Sequence, residues 1–266
     1  METVVVGDLA ADPDWSQATR NVDCIVHTAG RAHQPESADP NANAAFLRVN
    51  VDATLSLARH AAEAGVRRLI FVSSAHVNGA VTHGRGFRAE DAPAPMSAYA
   101  LSKLDAELGL AAISAETGLE TVVIRPPLIT GPGVKGNLAT LYAALRRGVP
   151  LPLGQITDNR RDLISRDNLS DLISVCIDHP AASGQTFMAS DGVPVSTRAL
   201  IEYMSDEIGV RPNLLPVPRG LLRGLLKAAG RARMASQLTE DLEIDITATR
   251  AVLGWNPAPP HREAKR

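Results

Sequence analysis

Short unbroken apolar runs alternate, along the first half of the chain, with longer stretches whose apolar positions recur at helical spacing. The runs "TVVVGDL" (3–9), "VDCIVHTAG" (22–30), "VRRLIFVSS" (66–74) and "LETVVIRPP" (119–127) predict buried strands. "AAFLRVNVDATLSLARHAAEAG" (44–65) predicts a helix ended by Gly65. A second helix is expected from Ser97, its N-cap, to Thr117, with Gly118 as its stop. Strands with no polar alternation are buried on both faces, so the pattern predicts an α/β fold with a parallel sheet between layers of helices. After Thr130 the pattern breaks into shorter elements rich in Gly and Pro. We expect a division into residues 1–130 and a smaller lobe, residues 131–266, interleaved with the first part. "LSDLISVCIDHP" and "STRALIEYMSDEIG" are read as parts of that lobe.

Composition narrows the function classes. With 45% apolar residues among 266, a sizeable core can form. Aromatics are only 3%, too few for a platform that stacks bases, and a net charge of −2 suits no general polyanion binder, so no nucleic-acid partner is expected. Cys24 and Cys176 lie far apart in apolar runs, as in a reduced, cytoplasmic protein. No apolar run reaches the roughly 20 residues of a membrane span, and no signal peptide is evident. Histidines are scattered without ligand spacing, so no metal is expected. One stretch is lopsided: Arg211 to Arg233 holds six basic residues and no acidic one. A solvated basic face is the plain reading. Peripheral membrane contact and attraction of an anionic substrate are the others.

"SAYALSK" (97–103) places Tyr99 and Lys103 one helical turn apart on one face. Tyrosine ionises near pH 10, so a base near neutrality needs a shift of about three units, or about 4 kcal/mol. One positive charge at about 4 Å, at an effective dielectric near 20, supplies that order of energy. By itself the spacing also fits a surface Tyr–Lys pair. Three further features favour chemistry. Ser73 and Ser74 end one strand, where ligands of parallel sheets gather. The small residues of "HTAG" allow close approach to the backbone. Asp8 ends another run, placed to accept hydrogen bonds from an adenine or ribose edge.

"GDL", "HTAG", "RVNVDATLSL", "FVSSAHVNG", "SAYALSK", "IRPPLITGPG", "RRDLISRDNLSDLI" and "DITATRAVLGWNP" follow in order along nearly the whole chain. Together they resemble the extended short-chain dehydrogenase/reductase family of nucleotide-sugar epimerases, dehydratases and reductases, and in particular its UDP-glucose 4-epimerase-like branch of surface-polysaccharide synthesis. The resemblance implies a Rossmann-like, doubly wound sheet with a smaller C-terminal substrate lobe, and NAD or NADP as cofactor. It implies Tyr99 as general acid or base, Lys103 as its partner on the nicotinamide ribose, and Ser74 as the active-site serine, with Ser73 the fallback. Asp8 and Leu9 would border the adenine. Thr28, Ala29 and Gly30 would line the cofactor, Asn50 would support that helix, and Pro126 would abut the nicotinamide. Asn137 and Arg161 would hold the diphosphate of a nucleotide sugar, a UDP-sugar first of all. Asp245, Arg250 and Trp255 would be structural, and a homodimer is among the partners implied.

The family opens with a strand and a G-x-x-G-x-x-G turn that holds the cofactor pyrophosphate. No such motif stands in this sequence, and Gly131-Pro132-Gly133 follows a different strand. An N-terminally truncated sheet is therefore expected, from a fragment or displaced start; a degenerate member and a partner-supplied segment are the alternatives. His27 reads as an interior histidine and His76 as a loop or packing residue near the substrate. Asp162 and Asp167 read as ion pairs or caps. The leading function is 4-epimerisation of a nucleotide sugar. Reduction of a 4-keto sugar uses the same residues, and a non-catalytic nucleotide-sugar binder is the alternative of another class.

Overall fold

The computed structural model describes residues 3–11, 13–32, 40–131, 133–134 and 136–259. Strand β1 (Cys24–His27) leads to helix α1 (Pro40–Phe46), a π-helical turn (Leu47–Asp52) and α2 (Ala53–Glu63). Then come β2 (Arg68–Val72), α3 (Ala98–Thr117), β3 (Glu120–Arg125), β4 (Leu128–Thr130) and α4 (Gly136–Arg146). The chain continues through β5 (Leu163–Ser165), α5 (Arg166–Asp178), β6 (Thr186–Met188) and α6 (Thr197–Glu207). It closes with α7 (Arg219–Ala228), α8 (Ala232–Thr239) and α9 (Thr247–Leu253). The main sheet runs β1-β2-β3-β6, all parallel, and β4 pairs with β5 in a second, two-stranded parallel sheet.

Both faces of the main sheet are covered, as unbroken apolar strands require. Leu69 and Phe71 of β2 pack on Leu57, Ala61, Ala106 and Leu110 of α2 and α3. Ile70, one residue out of phase, packs on the opposite face with Leu172 and Cys176 of α5. So α5, read from sequence as part of the smaller lobe, lies against the main sheet; its apolar stripe meets Ile70, Val122 and Ile124. A third core joins Leu138, Leu145, Ile156, Leu163, Ile201, Met204 and Leu222 beyond the main sheet.

Ends of the helices follow local chemistry. The Ser97 hydroxyl accepts from the Ala100 amide at 3.1 Å and opens α3. Gly118 closes it in the left-handed conformation (φ 79°), which a residue with Cβ resists. The expected helix at 44–65 forms as α1, the π turn and α2, with Gly65 beyond its end at φ 76°.

One expected strand is absent. Residues 3–8 carry no regular structure, and Leu9–Ala11 makes a single 3-10 turn. Val5 is 89% exposed. A strand needs a neighbour for its amides, and among the described residues β1 pairs with β2 alone. β-propensity without a partner does not make a strand.

Candidate active site

The carboxyl ends of β1, β2 and β3 open on one rim of the sheet, where parallel sheets hold ligands. β2 and β3 stay tied beyond their last residues: the Ser73 amide donates to Ile124 O at 2.8 Å and the Ala75 amide to Pro126 O at 2.9 Å. This fixes Ser74 and buried Pro126 beside each other above the sheet.

The first turn of α3 brings Tyr99 to that rim. Its ring meets Phe46 edge-on at 6.3 Å, and its phenol is near enough to the Ser74 hydroxyl for that group to act on it. Ser73 points elsewhere: its hydroxyl donates to Glu107. The geometry thus separates two adjacent serines: Ser73 turns to Glu107, and Ser74 stays on the side of Tyr99. Burial raises the pKa of Tyr99, and the Ser74 hydroxyl opposes that shift. The phenol is therefore held protonated, not lowered toward neutrality as the Tyr–Lys spacing alone suggested. The Lys103 ammonium donates to Val72 O at 3.0 Å and sits 4.4 Å from the centre of the Phe71 ring. Burial lowers Lys103 to about 8, with the Glu107 carboxylate opposing.

Glu107 continues the stripe of Tyr99 and Lys103 by one more turn. It forms a buried ion pair with Arg125 at 2.6 Å, side chains 7% and 6% exposed. Arg125 also donates to Asn78 Oδ1 at 3.1 Å. Sequence reasoning missed this network. The signal was available: a carboxylate on the apolar, core-facing side of α3, in register with Tyr99.

The loop after β1 is held by Asn50, which is fully buried in the π turn. Its Oδ1 accepts from the Arg31 amide at 2.7 Å; its Nδ2 donates to Arg31 O at 3.0 Å and Ser102 Oγ at 2.9 Å. Ser102 in turn donates to Tyr99 O at 2.8 Å. A Cβ on Gly30 would stand 3.1 Å from Asn50 Oδ1 and 3.4 Å from Lys103 Nζ. Gly30, Asn50 and Lys103 thus meet in one place, and Ser102 ties Asn50 to the backbone of Tyr99. His27 is interior, bonded to Thr54 Oγ1 at 3.0 Å and stacked on Phe71; burial and the Lys103 charge lower it to about 4.

A cleft of about 190 Å³ continues from this rim between His76, Ser97, Ala100 and the α8 residues Arg233, Ser236 and Gln237. Asn137, in the first turn of α4, donates to Gln237 at 3.2 Å. Arg161 donates to Glu240 O at 3.1 Å, and burial lowers it to about 10. The charges of Arg161 and Arg233, after burial, hold His76 neutral at about 4. Arg161 and Arg233 thus lie near enough to His76 for their charges to act on it, and Asn137 reaches the cleft through Gln237.

Asp8 and Leu9 lie beside the π turn that carries Asn50. The Asp8 carboxylate accepts from the Ala10 amide at 3.0 Å, and Leu9 lines an open hollow of about 500 Å³ with Arg48, Asp52, Ser56 and His60. Asp162 is an interior acceptor for Ser190 Oγ at 2.5 Å and the Ile244 amide at 2.7 Å. Asp167 occupies the first turn of α5. Asp245 pairs with Arg88 at 2.8 Å, the Trp255 indole donates to Asp171 at 2.8 Å, and Arg250 lies against Gly192. Among the described residues no three His, Cys, Asp or Glu side chains gather as a metal site would need, and no helix is long and apolar enough to cross a membrane.

The rim suits one end of a dinucleotide. The lack of a Cβ on Gly30 lets Asn50 Oδ1 and Lys103 Nζ come close to the backbone, and Arg31 Nε is buried without a partner beside it. Gly131, Gly133 and Gly136 have G-x-G-x-x-G spacing, but they join β4 of the small sheet to α4, away from Gly30 and Lys103.

Residues 2–189 match the family model described as the NAD dependent epimerase/dehydratase family. The chain is 40% identical over 253 residues to a UDP-glucose 4-epimerase of Vibrio cholerae, covering 95% of this chain and 77% of that protein. It is 29% identical over 212 residues to a GDP-6-deoxy-D-mannose reductase of Pseudomonas aeruginosa, 76% of this chain and 68% of that one. The fold superposes on MoeE5, solved with UDP-glucuronic acid and NAD, at a TM-score of 0.76 and 22% identity, over 97% of this chain and 81% of that one. A parallel α/β sheet with a serine, a tyrosine and a lysine at its carboxyl rim defines an enzyme class of the short-chain dehydrogenase kind. Within that class, the chain belongs to the NAD dependent epimerase/dehydratase family.

Proposed function

We propose that this protein is an NAD(P)-dependent nucleotide-sugar 4-epimerase, with a UDP-sugar as substrate. One observation carries the proposal: Ser74, Tyr99 and Lys103 meet at the carboxyl rim of the sheet, with the Ser74 hydroxyl near enough to the Tyr99 phenol to act on it and Lys103 Nζ close to Gly30. The epimerase relative from Vibrio cholerae supports the sugar nucleotide and the reaction. The nicotinamide cofactor, when bound, takes a hydride from the sugar carbon and returns it to the other face. Tyr99 moves the proton of the sugar hydroxyl, and Ser74 holds the same oxygen. Lys103 and the backbone of Thr28, Ala29 and Gly30 hold the nicotinamide ribose end, and Pro126 closes the rim. Asn137 and Arg161 hold the diphosphate, where the guanidinium's planar fork suits paired oxygens.

The test is interconversion of UDP-glucose and UDP-galactose at millimolar NAD by the purified chain and its Tyr99→Phe variant. Loss of the proton-transfer group lowers kcat by about 100-fold or more with KM little changed. A variant that keeps most of its activity overturns the assignment of Tyr99. A second reading, reduction of a 4-keto nucleotide sugar, is favoured by the protonated state of Tyr99, which suits a proton donor. NAD(P)H oxidation on a 4-keto sugar, without epimerisation, would select it. A chain that binds nucleotide sugar but turns over neither substrate would be a non-catalytic binder.

We also propose a homodimer through α3. Leu101 and Leu108, two turns apart on that helix, are 47% and 61% exposed, a spacing that suits helix pairing. Sedimentation of the chain and of Leu108→Glu tests it: a dimer that the variant converts to monomer is expected, and a monomeric parent chain excludes it.

A further inference from the structure

The helices α7 and α8 form a hairpin, closed by Gly230 at φ 71° and by the Arg231 amide donating to Leu226 O at 2.8 Å. Its base is anchored. Leu222 and Leu226 join the smaller lobe's core. Arg219 pairs with Asp158 at 3.2 Å and Glu240 at 3.4 Å, and Arg223 with Glu240 at 2.5 Å. Its outer face is not anchored. Leu221 and Leu225, one turn apart on α7, are 56% and 59% exposed, and Met234 on α8 is 43% exposed. Lys227 and Arg231 are exposed at the turn beside them. No acidic residue interrupts the stretch from Arg211 to Arg233.

We infer that this hairpin docks the protein on an anionic lipid bilayer, with Leu221 and Leu225 entering the headgroup boundary and Lys227 and Arg231 facing lipid phosphates. Apolar side chains flanked by lysine and arginine, with no acid among them, match an interface that is apolar below and negative above. A second copy of the chain is a poorer occupant, because a two-fold contact sets the same surface against itself and brings the basic turns together. Nucleic acid is poorer too, since phosphates give leucines nothing to bury against. The placement has a consequence. Arg233, Ser236 and Gln237 of the same hairpin line the cleft beside His76 and Ser97, so docking would set the cleft's mouth at the membrane surface. The inference does not rest on the assignment of Tyr99 or of the sugar.

Flotation of the chain with vesicles of phosphatidylcholine alone, and of phosphatidylcholine with phosphatidylglycerol, tests it. Binding to the second and not the first, weakened by salt, is expected. Leu221→Asp with Leu225→Asp, and separately Lys227→Glu with Arg231→Glu, should each weaken partition by about tenfold or more. All four side chains are exposed, so the variants should unfold at the parent's temperature; should one not fold, Leu221→Gln with Leu225→Gln replaces it. Hydrogen exchange of the parent chain on vesicles should show new protection over residues 219–234. Failure to bind anionic vesicles overturns the inference, and so does binding that the leucine variants leave intact. Leucine variants that alter the oligomeric state but not vesicle binding assign the face to a second copy and overturn it as well.

Discussion

Residues 3–9 and residues 22–31 carry almost the same kind of sequence, an apolar run ending in small or turn-forming residues, yet only the second becomes part of the rim. "VDCIVHTAG" is paired along β2, and its loop is gripped by Asn50 through both the amide and the carbonyl of Arg31. "TVVVGDL" has no strand beside it among the described residues and leaves Val5 exposed. Local propensity is equal; partners differ. Side chains at the rim are placed by hydrogen bonds made elsewhere in the chain, so damage to those bonds should spread, while damage to the exposed Val5 or Asp8 should not.

The largest effect should come from the network behind the rim. Glu107→Gln leaves Arg125 buried without its counter-charge, while the remaining amide oxygen can still accept from Ser73. Breaking one partner of a buried pair costs about 3–5 kcal/mol. Urea unfolding should show that loss, and a midpoint within experimental error of the parent would show that the pair contributes nothing to the paired half.

Acid should act next, through His27. Its folded pKa is about 4, below the ordinary 6.5, because burial and Lys103 disfavour the charged ring. Above pH 6.5 both folded and unfolded states are neutral and stability is full. Between 6.5 and 4 the unfolded chain binds a proton that the folded one refuses, so stability falls as pH falls, by up to about 3 kcal/mol. His76, also held at about 4, acts in the same direction. His27→Gln should flatten the acid limb of a stability–pH curve; an unchanged limb would assign it wholly to other groups.

Asn50→Ala removes three hydrogen bonds at once, two of them to the loop that carries Gly30. About 2 kcal/mol of stability should be lost, since buried partners are left unpaired. Calorimetric titration with NAD(H) should show weaker binding than by the parent chain, with the heat lost before any change at Lys103. Equal affinity would mean that the Gly30 loop holds its shape without Asn50.

Much of this was legible before any coordinates. The strands at 24–27, 68–72 and 120–125, the caps Ser97 and Gly118, and the shared face of Tyr99 and Lys103 all follow from spacing and local chemistry, because such features depend on neighbours close in the chain. The choice of Ser74 over Ser73 came from the resemblance; only the Glu107 carboxylate, reached across the sheet, shows physically why the two hydroxyls diverge. The upward shift of Tyr99 was not legible, because the spacing to Lys103 says nothing of how deeply the fold buries the phenol. Nor was the strand at 3–9, whose fate depends on a partner rather than on its own residues.

The smallest effect should come from that segment. Val5→Asp puts a charge where the side chain is already 89% exposed, with no strand neighbour to repel and no core contact to lose. Asp8→Ala removes one carboxylate that accepts from the Ala10 amide in an exposed turn. Surface changes of this kind fall within about 0.5 kcal/mol of the parent. Because the Asp8 carboxylate is taken up by the Ala10 amide, Asp8→Ala should leave NAD(H) affinity within about twofold, or about 0.4 kcal/mol. Urea unfolding and the same calorimetric titration read both variants. Destabilisation of Val5→Asp by as much as Asn50→Ala would show that 3–9 is packed into the sheet in solution. A large loss of NAD(H) affinity in Asp8→Ala would restore that carboxylate to the adenine border, and the contrast between the two runs would then lie in the backbone alone.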